Sequence, residues 1–592
     1  MSKFVLILKF FFVELKLIKK KSIDIFDTVR SISFIKFFKH IIYKNQISIF
    51  RDNNISQYLE LNTSIWKFKK KGKNKYILID LTLSTHPIHA IIQCILGNNF
   101  RKLTGYDCKA IINENDILTR FIAKSFSINK FEILINGNIF KRFFYYYKSL
   151  NLIKSEKCLK KLVELKSEKI EIGKSAYEFA VRNYIKELPS ENNIHLFYLA
   201  LSKSLHVLNQ SQKIFNSKNI ALFLMAEIQF IPNRIFFQKC LLNKIPIYAS
   251  YGAKKEDQIS ICCFDSLKSF NQHRMKFSKK LLNFLIKNFS IDLKNYIRNF
   301  IKEDTKINKI GFGEKIYSDK LPKRKLLKFN DYSDFCKKFN FNNKSKTVLI
   351  LPNVFVDNLL THEWGIFQNP IEWFLETLKM IKKIKNVNWL IKPHPSEKIY
   401  NSNITARRLF SMVVDKEKNI KFLDQRYNID NISEYVSSVI SFGGSAGYEY
   451  TKLGIPVITA GDTRYSNFGL TQSPRNLKEY KLILNNLDKS HKVNTKKKFK
   501  AGLYWLLIKD LTRLQNKMIP IALTRSNFYD DTFWKIAFKN LKKNKKSKIN
   551  NEFYKNLAIM YKYKNRHSIK LNKLLKFKKR ISFNLNDSNS NR

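Results

Sequence analysis

Short apolar runs alternate with longer mixed stretches along most of this chain. Tyr76 to Leu81 is almost continuously apolar, as expected of a parallel strand buried on both faces, and a helix is expected from Ala90 to about Leu103. Cys108 to Asn113 and Phe131 to Ile135 read as further strands, with a helix from Ile117 to Phe126 between them. Residues 142–212 are helical in pattern. Ile220 to Met225, Phe230-Ile231-Pro232 and Ile245 to Tyr248 then resume the strand, loop, helix, strand rhythm. A second series comprises Thr347 to Pro352, Asn388 to Ile391, Val439 to Phe442 and Ile455 to Thr459. Alternation of this kind predicts an α/β fold with parallel sheets, here as two Rossmann-like domains.

The boundaries follow from where the rhythm stops. Residues 1–70 form a helical, basic extension and 71–253 the first Rossmann-like domain. Residues 254–345, charged and poor in strand signals, form a helical connector. Residues 346–487 form the second Rossmann-like domain. Bracing helices at 488–541 include the periodic run Leu503 to Leu514, and a Lys/Asn-rich basic tail covers 542–592, read as a loosely ordered, solvated segment. A short echo links the halves, since Asn243-Lys244-Ile245-Pro246-Ile247-Tyr248 resembles Lys452-Leu453-Gly454-Ile455-Pro456-Val457.

The chemistry gathers at two strand ends in the second half. Lys392-Pro393-His394-Pro395 follows one strand, and Gly443-Gly444-Ser445-Ala446-Gly447 follows another and opens a helix. Glycines let backbone approach a ligand closely, and a helix N-terminus offers unpaired N–H groups and a positive dipole end to an anion. Ser445 either adds a hydroxyl donor to a phosphate site or caps the helix. His394 is either a ligand contact or an ordinary histidine in a proline-stiffened turn, and Lys392 either an extra cation or a solvated strand residue. Loops of a doubly wound sheet emerge at one edge, so His394 and Ser445 are expected at neighbouring strand ends, both facing the interdomain cleft.

Composition narrows the partners. The 592 residues allow three or four structural units, and 44% hydrophobic content excludes global disorder. The formal charge of +62 invites a nucleic-acid reading, but Lys, Asn, Ile and Phe are inflated together throughout, so no specific nucleic acid is expected. The excess favours anionic partners, among them sugar nucleotides, acidic polysaccharide and the inner face of the cytoplasmic membrane. Seven cysteines without CxxC spacing fit a reducing cytoplasm. Phe4 to Val13 is apolar, yet interrupted by Lys9 and too short to span a bilayer; it reads as a core-facing helix or as part of an amphipathic surface helix reaching Lys21.

These motifs carry a resemblance. Lys392-Pro393-His394-Pro395, the run Ser441 to Glu449, and Leu453-Gly454-Ile455-Pro456-Val457 resemble the C-terminal half of bacterial capsule-polysaccharide glycosyltransferases. That group is related to Kdo transferases, sialyltransferase-like enzymes and CDP-glycerol glycerophosphotransferases. The resemblance is specific from about Thr347 to Gly469 and implies the GT-B fold, with two Rossmann-like domains facing a cleft. It further implies transfer of a sugar from a nucleotide-sugar donor, CMP- or CDP-linked and bound by residues 346–487, to a glycan or glycolipid acceptor on the side of residues 71–253. The donor is a substrate and no cofactor is expected; no DxD motif follows an obvious strand end, so metal-independent transfer is expected. The resemblance implicates His394, also catalytic, Ser445 and Glu449 on the donor side, to which the strand-end and turn readings add Lys392, Gly443, Gly444 and Gly447. The acceptor's general base is sought in the first domain, where His86, His89 and Glu227 follow strands; Asp357, His362 and Glu363 could line the other side. A glycerophosphotransferase, a sugar-nucleotide epimerase of the same fold, or a non-catalytic polysaccharide-binding or export protein are the alternatives.

Overall fold

The computed structural model describes residues 5–13, 53–68, 74–83, 87–114, 116–152, 162–186, 190, 193–251, 257–269, 274–288, 294–299, 325–357, 365–394, 397–400, 402–424, 427–429, 432–520, 531–570 and 573. His86, His362, Glu363 and Pro395 lie outside them, as do most of the N-terminal extension and the last residues of the tail. The chain divides into unit 1 (Met1–Ile185, Pro189–Phe270 and Thr512–Lys570) and unit 2 (Lys186–Leu188, Asn271–Leu511 and Leu571–Arg592).

Unit 1 begins with α1 (residues 5–13), α2 (Asn53–Ile65), β1 (Tyr76–Asp80), α3 (Pro87–Thr104), β2 (Asp107–Asn113), α4 (Ile117–Ser125) and β3 (Lys130–Leu134). It continues through α5 (Ile139–Asn151), α6 (Ile172–Ala180), α7 (Ile194–Phe215), β4 (Ile220–Met225), α8 (Asn233–Leu242), β5 (Ile247–Tyr251) and β6 (Gln258–Phe264). Unit 2 holds α9 (Lys279–Asn288), β7 (Lys325–Leu327), α10 (Tyr332–Phe339), β8 (Thr347–Leu351), α11 (Pro370–Ile381), β9 (Asn388–Ile391), α12 (Ala406–Val413), β10 (Ile420–Phe422) and β11 (Tyr427–Ile429). Then come β12 (Ser438–Ser441), α13 (Ala446–Leu453), β13 (Val457–Thr459), α14 (Leu477–Asn485) and α15 (Thr495–Leu506). The chain returns to unit 1 with β14 (Leu514–Gln515), α16 (Asp531–Asn544) and α17 (Lys548–Lys562).

The two sheets share one topology. Parallel strands run β3-β2-β1-β4-β5 in unit 1 and β10-β9-β8-β12-β13 in unit 2, so each sheet starts in the middle, grows to one side, then crosses to the other. Each therefore has a topological switch point between its first and fourth strands, where open α/β sheets bind ligands. Apolar side chains fill both faces. In unit 2, Val348, Ile350, Trp389, Ile391 and Ile440 pack under α11 and α14, while Leu349, Leu390, Val439 and Val457 face Phe335, Tyr435 and Ala446.

The six-residue echo holds down to individual hydrogen bonds. Lys244 and Gly454 both take the left-handed conformation that ends a helix. Ile245 N–H donates to the Cys240 carbonyl at 2.9 Å, and Ile455 N–H to that of Tyr450 at 3.1 Å. The prolines that follow accept from the neighbouring strand in both, Pro246 from Phe223 and Pro456 from Val439.

Three expectations change. The first sheet extends into the stretch read as a helical connector, because β6 pairs antiparallel with β5 over Ile247 to Tyr251. The tail reading from 542 fails for its first half, since α17 buries Phe553, Leu557 and Met560 in the unit 1 core, and Arg566 and Ser568 bond to the β6 backbone. Lys and Asn dominate that segment's composition, but one apolar side chain per turn suffices to dock a helix. Finally, the strands carrying His394 and Ser445 are not neighbours: β8 lies between β9 and β12. Their ends are two strand spacings apart, roughly 10 Å.

Candidate functional site

In unit 2 the site is built around the glycine turn. After β12 ends at Ser441, Phe442 is buried while Gly443, Gly444 and Ser445 are half-buried, and α13 begins at Ala446. Gly444 N–H donates to the Ser441 hydroxyl at 3.3 Å, and a Cβ at Gly444 would meet only that oxygen, also at 3.3 Å. The turn therefore leaves room for a ligand to approach its backbone. Ser445 stands at the N-cap in helical conformation, and its hydroxyl makes no capping bond. Glu449, half-buried in the first turn of α13, is itself a charge that complements the helix's positive end.

Gly447 has a different role from the one its motif suggests. A Cβ there would lie 2.1 Å from the hydroxyl of Tyr465 and 2.3 and 2.4 Å from its ring carbons. The glycine makes room for a fully buried tyrosine, whose hydroxyl donates to the Gly444 carbonyl at 2.7 Å. Tyr465 thus pins the loop after β13 to the glycine turn. The same loop adds a Gly461 N–H to Phe442 carbonyl bond at 2.8 Å.

That loop supplies a group sequence reasoning missed. Arg464 donates through Nη2 to the Tyr448 hydroxyl at 3.1 Å, with its guanidinium 5.5 Å from the centre of the same ring. Tyr504 fixes the backbone beneath it by donating to the Arg464 carbonyl at 3.3 Å. Its Nε is withdrawn from solvent and has no hydrogen-bond partner. Among the described residues no carboxylate pairs with Arg464; the nearby Asp462 is engaged by Lys276 at 3.5 Å. Burial pushes the Tyr448 phenol up to about 12, against the influence of Arg464 and a hydrogen bond with Ser445. Arg464 as a whole is half-buried, so its charge is only partly withdrawn from water, and it stands beside the first turn of α13, where an anion would be welcome.

The Lys-Pro-His-Pro loop lies on the other side of β8. Lys392 is half-buried, its N–H continuing the ladder to Ile350 at 3.0 Å; Pro393 is buried and His394 exposed. The loop is anchored by Glu397, whose N–H donates to the His394 carbonyl at 3.1 Å and whose carboxylate accepts from Ala406 N–H at 2.6 Å. Burial raises the Glu397 carboxyl to about 7, the Ala406 hydrogen bond opposing it. With the folded value raised, the native state holds a proton that the unfolded chain has released, so Glu397 lowers stability progressively as pH rises from the ordinary carboxylate range through about 7. Glu397→Gln should therefore unfold at a higher temperature than the parent at about pH 8, the gap closing towards about pH 5. Calorimetry at the two pH values checks this, and a gap independent of pH would exclude the titration.

In unit 1, His89 is half-buried in the first turn of α3, and Glu227 follows β4. Glu227 already accepts from Ile228 and Gln229 N–H, at 2.7 and 2.8 Å, so its carboxylate shapes its own loop. The switch point carries a buried network that no motif announced. Asp80 accepts from Thr82 N–H at 2.9 Å, from the Thr82 hydroxyl at 2.7 Å and from the Asn233 amide, and Asn113 donates to the Thr82 carbonyl at 2.9 Å. Burial raises the Asp80 carboxyl, with Thr82 and Asn233 opposing and Glu227 adding to the rise. Its one signal in the sequence is an acid at the end of an apolar run. Among the described residues no group of three or more His, Cys, Asp or Glu is placed to hold a metal ion.

Two Rossmann-type units of identical strand order give the protein the GT-B-like fold class. Residues 267–501 match the family model for capsule polysaccharide biosynthesis proteins, so the family resemblance read from the motifs holds over that stretch. No curated protein matches the sequence. Similar solved structures include a beta Kdo 2,4 transferase, KpsC of Thermosulfurimonas dismutans, at 14% identity over 48% of this chain and 79% of that one, with a TM-score of 0.29. The beta Kdo 2,7 transferase of the same organism's KpsC is 14% identical over 55% and 85%, with a TM-score of 0.28. A UDP-GlcNAc 2-epimerase from Neisseria meningitidis is 12% identical over 79% and 99%, with a TM-score of 0.20.

Proposed function

We propose that the protein is a glycosyltransferase of capsule or surface polysaccharide synthesis, moving a sugar from a CMP- or CDP-linked donor to a glycan or glycolipid acceptor. The observation that carries this reading is the Arg464 guanidinium, half-buried beside the first turn of α13 and paired with no carboxylate among the described residues, at the carboxyl edge of a doubly wound sheet. An anionic nucleotide supplies the missing counter-charge, with the α13 N-terminus and Ser445 donating to its phosphate. As the sugar–phosphate bond breaks, the charge left on the phosphate is met by Arg464, with His394 and Lys392 two strands away. The acceptor hydroxyl forms the new bond and releases its proton to a general base. Of the residues expected in that role, Glu227 has its carboxylate occupied by its own loop, and His89 remains. These cations do the work that a metal performs elsewhere, so transfer is metal-independent.

Thermal unfolding with a panel of CMP-, CDP- and UDP-sugars tests the reading, because a ligand bound only by the native state raises its stability. Stabilisation by cytidine nucleotides supports it; indifference to every nucleotide overturns it, and release of free glycerol phosphate or epimerised sugar would point to the alternatives. Transfer assayed with and without EDTA should be the same. His394→Ala should lower turnover roughly tenfold, the worth of one solvent-shared charged hydrogen bond. An unchanged rate would remove His394 from the site.

A further inference from the structure

Unit 1 presents an aromatic face that lies outside the transferase reading and does not depend on it. Helix α1, Val-Leu-Ile-Leu-Lys-Phe-Phe-Phe-Val over residues 5–13, is apolar all round apart from Lys9. One side docks on α5: Phe10 stacks on Tyr146 at 4.6 Å, Phe11 on Phe143 at 5.4 Å, and the Tyr146 hydroxyl donates to the Leu6 carbonyl at 3.1 Å. The other side is open. Leu8 is 54% exposed and Phe12 61%, while on α5 Phe140 is 80%, Phe144 60% and Tyr147 46% exposed. Phe140, Phe144 and Tyr147 follow the i, i+4, i+7 spacing of one helical stripe, and a helix apolar on all sides is normally buried. Water-soluble surfaces seldom leave so many large rings together uncovered.

The charges around the face identify what covers it. Neither helix contains an acidic residue, while Lys9, Lys141, Arg142 and Lys148 lie on them, Lys141 and Lys148 exposed. A second copy docked face to face would set this basic rim against itself, since a twofold interface pairs a patch with its own image. An anionic bilayer complements both features: rings seat at the boundary of headgroup and acyl chain, and lysines meet negative headgroups. No helix among the described residues is long and apolar enough to cross a membrane. We propose that α1 and α5 form an in-plane anchor for an anionic phospholipid surface.

Flotation of the full chain with vesicles tests this. Vesicles of phosphatidylcholine mixed with phosphatidylglycerol should carry the protein at least tenfold better than phosphatidylcholine alone, and added salt should weaken the binding. Phe140→Ser with Phe144→Ser should lower it at least tenfold with unfolding temperature unchanged, since both side chains are already in water. Lys141→Glu with Lys148→Glu should weaken it without touching a ring. Vesicle binding that survives both pairs overturns the proposal. So does equal binding to the two vesicle types, or a dimer in light scattering that the Phe variants dissociate while the parent ignores vesicles.

Discussion

Arg464→Gln should weaken nucleotide binding by about 2 kcal/mol, the value of a hydrogen bond to a charged group, which is roughly a 30-fold loss. Arg464→Lys should fall between, because an ammonium keeps the charge but lacks the planar fork that grips a phosphate through two bonds. The unliganded protein should change little. Arg464 is half-buried, with Nε unpartnered but Nη2 donating to Tyr448, so the relief of desolvation and the lost hydrogen bond largely offset and Arg464→Gln should unfold within about 1 kcal/mol of the parent. Lost binding with undiminished stability is what a residue kept for its ligand produces. Calorimetric titration with CMP and CDP, beside thermal unfolding without nucleotide, checks both arms. Parent-like binding in Arg464→Gln would leave the nucleotide site standing but strip Arg464 of its role. If the parent itself binds no nucleotide, the site falls.

Gly447→Ala should be the most damaging single methyl in unit 2. The added carbon meets the Tyr465 hydroxyl at 2.1 Å and its ring at 2.3 and 2.4 Å, and the ring has nowhere to go. It packs edge-on against Tyr448 and Tyr504 at 5.5 and 5.9 Å and is tethered to Gly444. Overpacking of this kind costs about 3 kcal/mol. Tyr465→Phe cannot rescue it, since the ring carbons still clash, whereas Tyr465→Ala should recover much of the loss as non-additivity between the two sites. Urea unfolding of the single and double variants measures this, and simple additivity would show that the glycine and the ring do not share the space.

The strands buried on both faces were the legible part of the fold. β1, β2, β4, β8, β9 and β12 each fall within a residue or two of an apolar run, because a strand covered on both faces is mostly apolar, polar side chains being confined largely to its ends. What escaped was short, disguised or non-local. β10 is only Ile420–Phe422, β6 begins just after the charged stretch around Lys254 and Lys255, and α17 hides three apolar anchors among lysines and asparagines. Within the site, the turn and its helix follow from local spacing, and so did the suspicion of an anion. That β8 separates His394 from Ser445 is a matter of strand order across the sheet, which spacing along the chain does not encode. The partnership of Gly447 with Tyr465, and the lack of a counter-ion for Arg464, exist only once the loops are folded together. The aromatic run at the N-terminus was visible, and a surface-helix reading with it, but not that Phe140, Phe144 and Tyr147 of α5 would extend the same exposed face.

The return of the chain to unit 1 orders events during synthesis. Trp534 packs 5.3 Å from Tyr58, and Leu541, Leu557 and Met560 are buried with Ile77, Ile79 and Leu222 in one core. A ribosome adding about 5–20 residues per second would complete the unit 2 sheet while the unit 1 sheet still lacks those covering helices. For several seconds the nascent protein would then carry a folded C-terminal module behind an unfinished N-terminal one, whose apolar sheet face is open to chaperones. A chain halted after α15 has emerged would therefore display the finished unit 2 sheet on a chain whose first half cannot yet close.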